Sequence, residues 1–256
     1  MNKKFLPAIT GTAIAIAITS LMDATGYFMF SALALCPLVG LAWYLQRVSR
    51  REIGLLWGPR NMYALALAYP VLVLGSTALV ALAGGAVDTT STDWGKTWLN
   101  VFLLSSTGIF AALLTEEAFF RGWLWAALKR AGQTDLQVLI WTSVAFAVWH
   151  IPAISLDTGF DVPAQEIPIY LVNATLLGLI WGVLRMVSGS IVVPAVSHAV
   201  WNGIDYPLFG FGEKVGALGI QETHIFGPEV GWLGVALNTI AFAVLLAIAR
   251  RRQLTA

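Results

Sequence analysis

The sequence is poor in charged residues and in residues that form covalent or metal cross-links. Only 11% of the 256 residues are charged, and the chain has one cysteine and three histidines. A soluble domain carries about 25% charged residues, so this composition excludes an ordinary soluble protein, and we expect no nucleic-acid partner. The single cysteine, Cys36, excludes an intramolecular disulfide. Because it lies in an apolar stretch, it is expected to be a small core residue.

Three familiar catalytic motifs are also absent. The sequence has no HExxH, no GxSxG and no Walker loop. A helix-borne zinc protease, a serine hydrolase with a nucleophile elbow and a P-loop nucleotide hydrolase therefore have no support. Any chemistry must come from residues in another arrangement.

What the chain has instead is a series of long apolar segments. Hydrophobic residues make up 58% of it and the mean hydropathy is +0.76. Helices of about 17–25 apolar residues cross a bilayer, so we predict an all-α polytopic transmembrane helical bundle of about eight spans, with residues 1–256 as one domain and a motif core at about 98–205. The fourth span is too long to be straight and is expected to tilt, break or project. The spans are placed at about 5–22, 25–46, 62–84, 98–128, 136–152, 167–186, 188–205 and 230–249.

The N-terminal region carries two further signals. Lys3 and Lys4 precede the apolar residues 5–21, as in a signal peptide, but no small-residue cleavage site precedes Tyr27. We therefore expect a first helix that is retained. The stretch 47–60 is rich in arginine and aromatic residues and is typical of an interfacial amphipathic segment.

The distribution of basic residues predicts the orientation. With the N-terminus in the cytoplasm, twelve Lys and Arg residues fall on the cytoplasmic side, Lys96 and Lys214 fall on the other, and Arg121 lies within the membrane. This distribution satisfies the positive-inside rule. Both termini are therefore predicted to be cytoplasmic, in a multi-pass protein of the plasma membrane. The compact size and short loops favour a prokaryotic inner membrane.

Four polar residues lie at a similar depth in this arrangement. Glu116 lies about 18 Å before the cytoplasmic end of the fourth span, and His150 lies about 18–21 Å into the fifth. His198 lies about 15 Å into the seventh span, with Asn202 one turn further. A carboxylate at membrane depth costs about 3 kcal/mol on insertion scales. Because unrelated core histidines have no reason to agree in depth, we predict that these side chains meet in one site.

The two adjacent glutamates have different expected roles. Glu117 and Arg121 are i and i+4 neighbours on a helix and can form an ion pair. Glu116 points about 100° away from Glu117, where a carboxylate in a partly wet cavity suits general-base catalysis. The alternative is a structural Glu–Arg clamp without chemistry.

The two histidines also have i, i+4 neighbours. Phe146 is expected to pack its ring beside His150, and Pro152 is expected to end that helix. His198 and Asn202 share a helix face and suit the stabilisation of an oxyanion. The alternative for this pair is interhelical hydrogen bonding.

Four other residues receive structural interpretations. Asp205 is expected to face the outer interface, and His224 is expected to be a surface residue of a loop. Gly178 and Gly182 form a GxxxG pattern in the sixth span, which favours close contact with a neighbouring helix.

Together these residues resemble the motifs of the CAAX protease and bacteriocin-processing family (CPBP, also called ABI or Rce1-like). The resemblance covers about 115–205 and implies an all-helical intramembrane endopeptidase. In it Glu116, aided by His150, would activate water, His198 and Asn202 would stabilise the oxyanion, and Glu117 and Arg121 would organise the site. The matching motifs are EExxxR as Glu116-Glu117-xxx-Arg121, FxxxH as Phe146-xxx-His150 and HxxxN as His198-xxx-Asn202.

Cofactor and substrate stay open at this stage. Zinc, if used, would be held by Glu116, His150 and His198. A metal-free mechanism without any cofactor is favoured, because Asn202 would be a poor zinc ligand but a good oxyanion donor. The predicted partners are the lipid bilayer and a peptide or small-protein substrate, lipidated or not, of the CAAX or the bacteriocin-leader type; the oligomeric state is open.

Two other functions remain. An ion-coupled transporter also places ionisable residues in the membrane, but it predicts inverted repeats, which the sequence lacks. A non-catalytic membrane scaffold or immunity protein would keep the fold without the chemistry.

Overall fold

The computed structural model describes residues 3–156, 158–160 and 162–254, and their regular structure is helical apart from one short hairpin. The α-helices are α1 (Leu6–Ala24), α2 (Phe28–Ser31), α3 (Leu35–Gln46), α4 (Arg50–Ile53), α5 (Arg60–Ala83), α6 (Trp94–Leu114), α7 (Trp125–Arg130), α8 (Asp135–Ser155), α9 (Ile167–Ser188), α10 (Val192–Leu208), α11 (Thr223–Phe226) and α12 (Trp232–Leu254). Short 3₁₀ turns cover Lys3–Phe5 and Ala32–Ala34, and a π-helix covers Glu117–Leu124. Strands β1 (Gly210–Phe211) and β2 (Lys214–Val215) pair in antiparallel fashion.

The predicted all-α, multi-pass membrane bundle is confirmed. Within the described residues, seven helical stretches are long and apolar enough to cross a membrane. Helix α10, the seventh predicted span, has 17 residues and spans about 25 Å, which leaves it just short of that length. It nevertheless runs between the same two ends of the bundle as its neighbours. With α10, the described residues contain eight helical stretches that run along the bundle.

One end of the bundle is formed by α4, α7 and the start of α10, and we call it the basic end. Arg130 on α7 donates to the main-chain oxygen of Gln46 at 2.7 Å and to the two carboxylate oxygens of Glu52 at 2.6 and 2.9 Å. The N–H of Ile191, just before α10, donates to the carbonyl of Gly54 at 2.8 Å. These bonds tie together segments that are far apart in the sequence.

The opposite end, which we call the loop end, is formed by the connections α5–α6, α8–α9 and α10–α12. Leu218 links two of them, since its N–H donates to the carbonyl of Leu208 at 2.9 Å and its carbonyl accepts from the N–H of Asp88 at 3.0 Å. The rings of Phe160 and Phe211 stack with centroids 4.6 Å apart. The long segment after α10 is thus an ordered cover over this end.

The long fourth apolar stretch breaks near its middle, which is one of the three predicted outcomes (tilt, break or project). Thr115 leaves the helical region with φ −110° and ψ −94°, and its hydroxyl donates to the carbonyl of Ala111 at 2.7 Å. The chain then continues as the buried π-helix Glu117–Leu124. π-helical turns are rare and concentrate at functional sites. The break places Glu116 at the joint between two helical segments.

Small residues bring α8 and α9 close together. A Cβ atom on Gly178 would lie 2.9 Å from the Cα atom of Ser143, and one on Gly182 would lie 2.4 Å from the side chain of Leu139. The close contact expected from the GxxxG pattern is confirmed.

Two local expectations are wrong. Helix α8 continues past Pro152 to Ser155, because a proline in the last turn removes only one donor, and the N–H of Leu156 still bonds to the carbonyl of Pro152 at 3.0 Å. Cys36 is exposed on the surface of α3. An apolar setting does not require burial within the protein, because the outer surface of a membrane bundle faces lipid tails that are equally apolar.

The α8–α9 contact gives a stability test. We expect Gly178→Ala to lower the free energy of unfolding by about 1–3 kcal/mol, because the added methyl group has no space against Ser143. Gly75→Ala on α5 is the matched control, since nothing lies within 4 Å of a Cβ atom there. Unfolding of the purified variants in detergent measures both, and equal losses in the two would contradict the packing described.

Candidate active site

Glu116 faces two histidines at the joint between α6 and the π-helix. Its Oε2 atom lies 3.9 Å from Nε2 of His150 on α8 and 3.9 Å from Nε2 of His198 on α10. This oxygen is buried and has no hydrogen-bond partner among the described residues. Three separate elements therefore bring their polar atoms to one point, with separations too long for direct hydrogen bonds.

His150 is oriented by its own helix. Its Nδ1 atom lies 2.8 Å from the carbonyl oxygen of Phe146. Since a carbonyl only accepts, Nδ1 carries the proton and donates, which leaves Nε2 as the atom that faces Glu116. The Phe146 ring packs beside the imidazole, with centroids 4.5 Å apart, as expected from the i, i+4 spacing.

Glu117 is completely buried and connects Arg121 with His198. Its Oε1 atom lies 3.1 Å from Nη1 of Arg121 and 3.0 Å from Nδ1 of His198. The predicted Glu117–Arg121 ion pair is therefore present. Arg121 also donates to the carbonyl of Gly178 at 3.2 Å, and its guanidinium lies 4.4 Å from the centroid of the Phe146 ring. These contacts tie the π-helix to α8, α9 and α10.

The imidazole of His198 is held by one stacking contact and one hydrogen bond. Its imidazole stacks on Trp181 of α9, with centroids 3.9 Å apart and planes at 15°. Its Nδ1–H donates to Glu117, so that Nε2 faces Glu116. The sequence-based reasoning missed Trp181, although it lies three residues after Gly178.

These side chains surround a small cavity of about 40 Å³. About 10–15 Å³ is enough to hold one water molecule, so the cavity has room for the water of a hydrolytic reaction. The four residues predicted to meet, Glu116, His150, His198 and Asn202, all line it, together with Phe146, Trp181, Tyr170, Tyr206 and Glu229.

A larger cavity of about 410 Å³ lies between this site and the loop end. Glu116 and His150 line both cavities. The larger one is bordered by the start of α2 and by the α8–α9 and α10–α12 connections, including the β1–β2 hairpin. It has the size and position of a substrate chamber next to a reaction site.

One comparison with known proteins agrees with this arrangement. Residues 96–204 match the model of a family described as type II CAAX prenyl endopeptidase Rce1-like. This region belongs to the Rce1-like family. The resemblance drawn from the three motifs is thereby confirmed. No curated protein matches the chain in sequence.

Family membership carries a general activity. An Rce1-like region implies a CAAX-type intramembrane protease, and the seven apolar helices make the chain a multi-pass membrane protein. The matched region begins in α6 and ends in α10. It therefore contains Glu116, His150, His198 and Asn202, while the cover over the loop end lies outside it.

The structure places one acidic residue, Asp205, elsewhere than the sequence predicted. Asp205 was expected to face the outer interface, but it is only 2% exposed and lines the larger cavity. The helical period explains this position, because residues i, i+4 and i+7 share one face. Asp205 therefore continues the face that carries His198 and Asn202.

Glu229 is a second residue that sequence reasoning missed. It lies in the loop before α12, where Trp201 donates to its Oε1 atom at 2.9 Å and Asn173 donates to its main-chain oxygen at 2.9 Å. Burial raises the pKa of the Glu229 carboxyl. Asn173 is in turn bonded to Asn238 at 3.1 Å, and Asn238 to Tyr69 at 2.7 Å. The sequence gives little indication of this network, because Asn173 and Asn238 bond to partners on segments that meet only in the folded structure.

The residues do not form a recognisable metal site as placed. In the described part of the chain, no group of three His, Cys, Asp or Glu side chains has the arrangement of metal ligands. His224, the third histidine, is exposed, as expected, but it lies in the short helix α11 and not in a loop. The metal-free mechanism stays a prediction.

The buried ion pair makes a strong prediction about stability. We expect Arg121→Leu to lower the free energy of unfolding by about 3–5 kcal/mol, because Glu117 would keep a buried charge without its guanidinium partner. The double variant Glu117→Gln, Arg121→Leu should recover part of this loss. Arg51→Leu on the exposed surface is the control and should change stability by less than about 0.5 kcal/mol. Arg121→Leu with wild-type stability would contradict the role assigned to this pair.

Proposed function

We propose that the protein is an intramembrane endopeptidase that hydrolyses a peptide bond near the C-terminus or in the membrane-proximal part of a peptide or protein substrate. The observation that carries this proposal is the convergence of Glu116 with the Nε2 atoms of His150 and His198, each at 3.9 Å, around a cavity with room for water. Peptide hydrolysis needs a base, a water and donors for the oxygen of the tetrahedral intermediate.

Glu116 and His150 act on the water. Two hydrogen bonds of about 2.8 Å that meet at a water at roughly 90° span about 4 Å, which matches the distance between Glu116 and His150. Both atoms accept hydrogen bonds, so the water presents a lone pair to the substrate carbonyl. Glu116 takes one proton as the water oxygen attacks the carbonyl carbon, and it passes this proton to the amine when the C–N bond breaks.

His198 and Asn202 act on the carbonyl oxygen. The carboxylate of Glu117 accepts from Nδ1 of His198 and is the counter-ion for the imidazole when both of its nitrogens are protonated. In that state Nε2–H donates to the oxyanion, and the Asn202 amide supplies a second donor from the same helix face. Losing one such donor typically costs about 10²–10³-fold in rate.

Two observations favour this function over the alternatives. A scaffold has no need for a carboxylate oxygen and two imidazole nitrogens that converge at 3.9 Å, too far for direct hydrogen bonds, beside a cavity with room for water. An ion-coupled carrier needs a path through the bilayer, whereas the larger cavity borders only the loop end. We place the protein in the plasma membrane of a prokaryote, with the basic end in the cytoplasm, as the positive-inside rule predicts.

The catalytic assignment is tested with purified protein and a library of prenylated and unprenylated peptides. We expect Glu116→Gln and His150→Ala each to lower kcat/KM by at least about 10²-fold without changing the unfolding temperature by more than a few degrees. Glu222→Gln, an exposed residue outside both cavities, is the control and should cleave like wild type.

A chelator arm of the same assay addresses the metal. Full activity after dialysis against chelator is expected. Activity that is lost on chelation and restored by zinc would replace the metal-free mechanism, and full activity of Glu116→Gln would refute the catalytic assignment.

The orientation is tested by cysteine labelling in intact cells. In a Cys36→Ser background, Glu213→Cys on the hairpin at the loop end should react with a membrane-impermeant maleimide. Lys129→Cys at the basic end should react only after the cells are opened. Both positions are exposed, so reversed labelling would place the chamber on the cytoplasmic side.

A further inference from the structure

The larger cavity has an acidic lining that peptide hydrolysis alone does not require. Its described lining contains one lysine, Lys214, one histidine, His150, and no arginine. Lys214 lies on the β1–β2 hairpin with its ammonium 4.8 Å from the centroid of the Phe211 ring, so part of its charge is engaged by a neighbour. Six carboxylic residues line the same space: Asp23, Glu116, Glu166, Asp205, Glu213 and Glu229.

Besides Oε2 of Glu116, two of these carboxyl groups have an oxygen without a hydrogen-bond partner. Asp23 and Asp205 are 5% and 2% exposed. The Oδ1 atom of each is buried and has no hydrogen-bond partner among the described residues. A buried acceptor without a donor costs about 1–3 kcal/mol. Because the two residues come from α1 and α10, on different walls, a ligand that carries several donors could satisfy both.

The other carboxyl groups lie at different positions along the cavity. Glu166 immediately precedes α9 and is 8% exposed, with the hydroxyl of Thr223 3.5 Å from its Oε1 atom. Glu213 is exposed in the hairpin turn. Glu116 lies at the inner end, beside the reaction site. Carboxyl groups thus line the cavity from the loop end to Glu116.

We propose that this acidic cavity binds a positively charged side chain, Lys or Arg, of the peptide substrate. This inference rests on the proposed function and narrows it to cationic peptides. Ammonium and guanidinium groups carry donors only, which is the chemistry that the unpaired oxygens of Asp23 and Asp205 lack.

Matched peptides test the charge preference. Fluorogenic peptides that differ only in Lys, norleucine or Glu at one position beside the scissile bond are compared, each with a free or acetylated N-terminus and with a C-terminal acid or amide. We expect kcat/KM for the Lys peptide to exceed that for the Glu peptide by at least 10-fold. A Glu peptide cleaved as well as the Lys peptide, with its ends free or blocked, would overturn the proposal.

Variants locate the effect in this cavity. Glu166→Gln and Glu213→Gln should each lower the ratio of Lys to norleucine cleavage by about three-fold or more. Because Glu213 lies in an exposed turn, Glu213→Gln is expected to leave folding intact. Glu222→Gln, exposed but outside the lining, should keep the wild-type ratio. Unchanged ratios in both cavity variants would contradict the location.

A binding experiment separates this inference from the proposed function. Affinities of the Lys and Glu peptides for His150→Ala protein, which retains all six carboxylic residues, are measured in detergent. Preferential binding of the Lys peptide is expected whether or not cleavage occurs. If wild-type protein cleaves no peptide but this preference holds, the proposed function fails and the inference stands; equal binding overturns the inference in every case.

Discussion

The whole site depends on one buried carboxylate. Glu117 bonds to both Arg121 and His198 through a single oxygen, in an interior where an unpaired charge is far more costly than in water. Satisfying that charge fixes α10 against the π-helix, and the second hydrogen bond of Arg121, to Gly178, fixes α9. Glu116, the preceding residue, is therefore held in place although its Oε2 atom has no hydrogen-bond partner among the described residues.

The break in the fourth span explains how two adjacent glutamates serve different purposes. On a regular helix their side chains would diverge by about 100°, but both would still lie midway along a span. The departure of Thr115 from helical geometry and the following π-turn place Glu116 at a joint. From there Glu116 faces the two cavities, while Glu117 is enclosed by protein. The division between a reactive and a structural carboxylate thus comes from the backbone.

Much of this arrangement could be predicted from the sequence, because it depends on local spacing. Apolar length predicts the spans, and i, i+4 spacing predicts the Glu117–Arg121 and Phe146–His150 contacts. What could not be predicted depends on tertiary structure. Glu229 reaches the site only because the segment after α10 folds back over the loop end. The exposure of Cys36 could not be predicted, because hydropathy does not distinguish lipid contact from a protein core.

The central claim is that Glu116, His150, His198 and Asn202 act on one water and one peptide carbonyl. The most direct test is a high-resolution structure of the Glu116→Gln protein with an uncleaved peptide, with anomalous data recorded at the zinc edge. The account predicts the carbonyl oxygen within hydrogen-bond distance of His198 Nε2 and the Asn202 amide, a water between residue 116 and the carbonyl carbon, and no zinc peak. A peptide bound elsewhere, or a metal ion between the histidines, would contradict it.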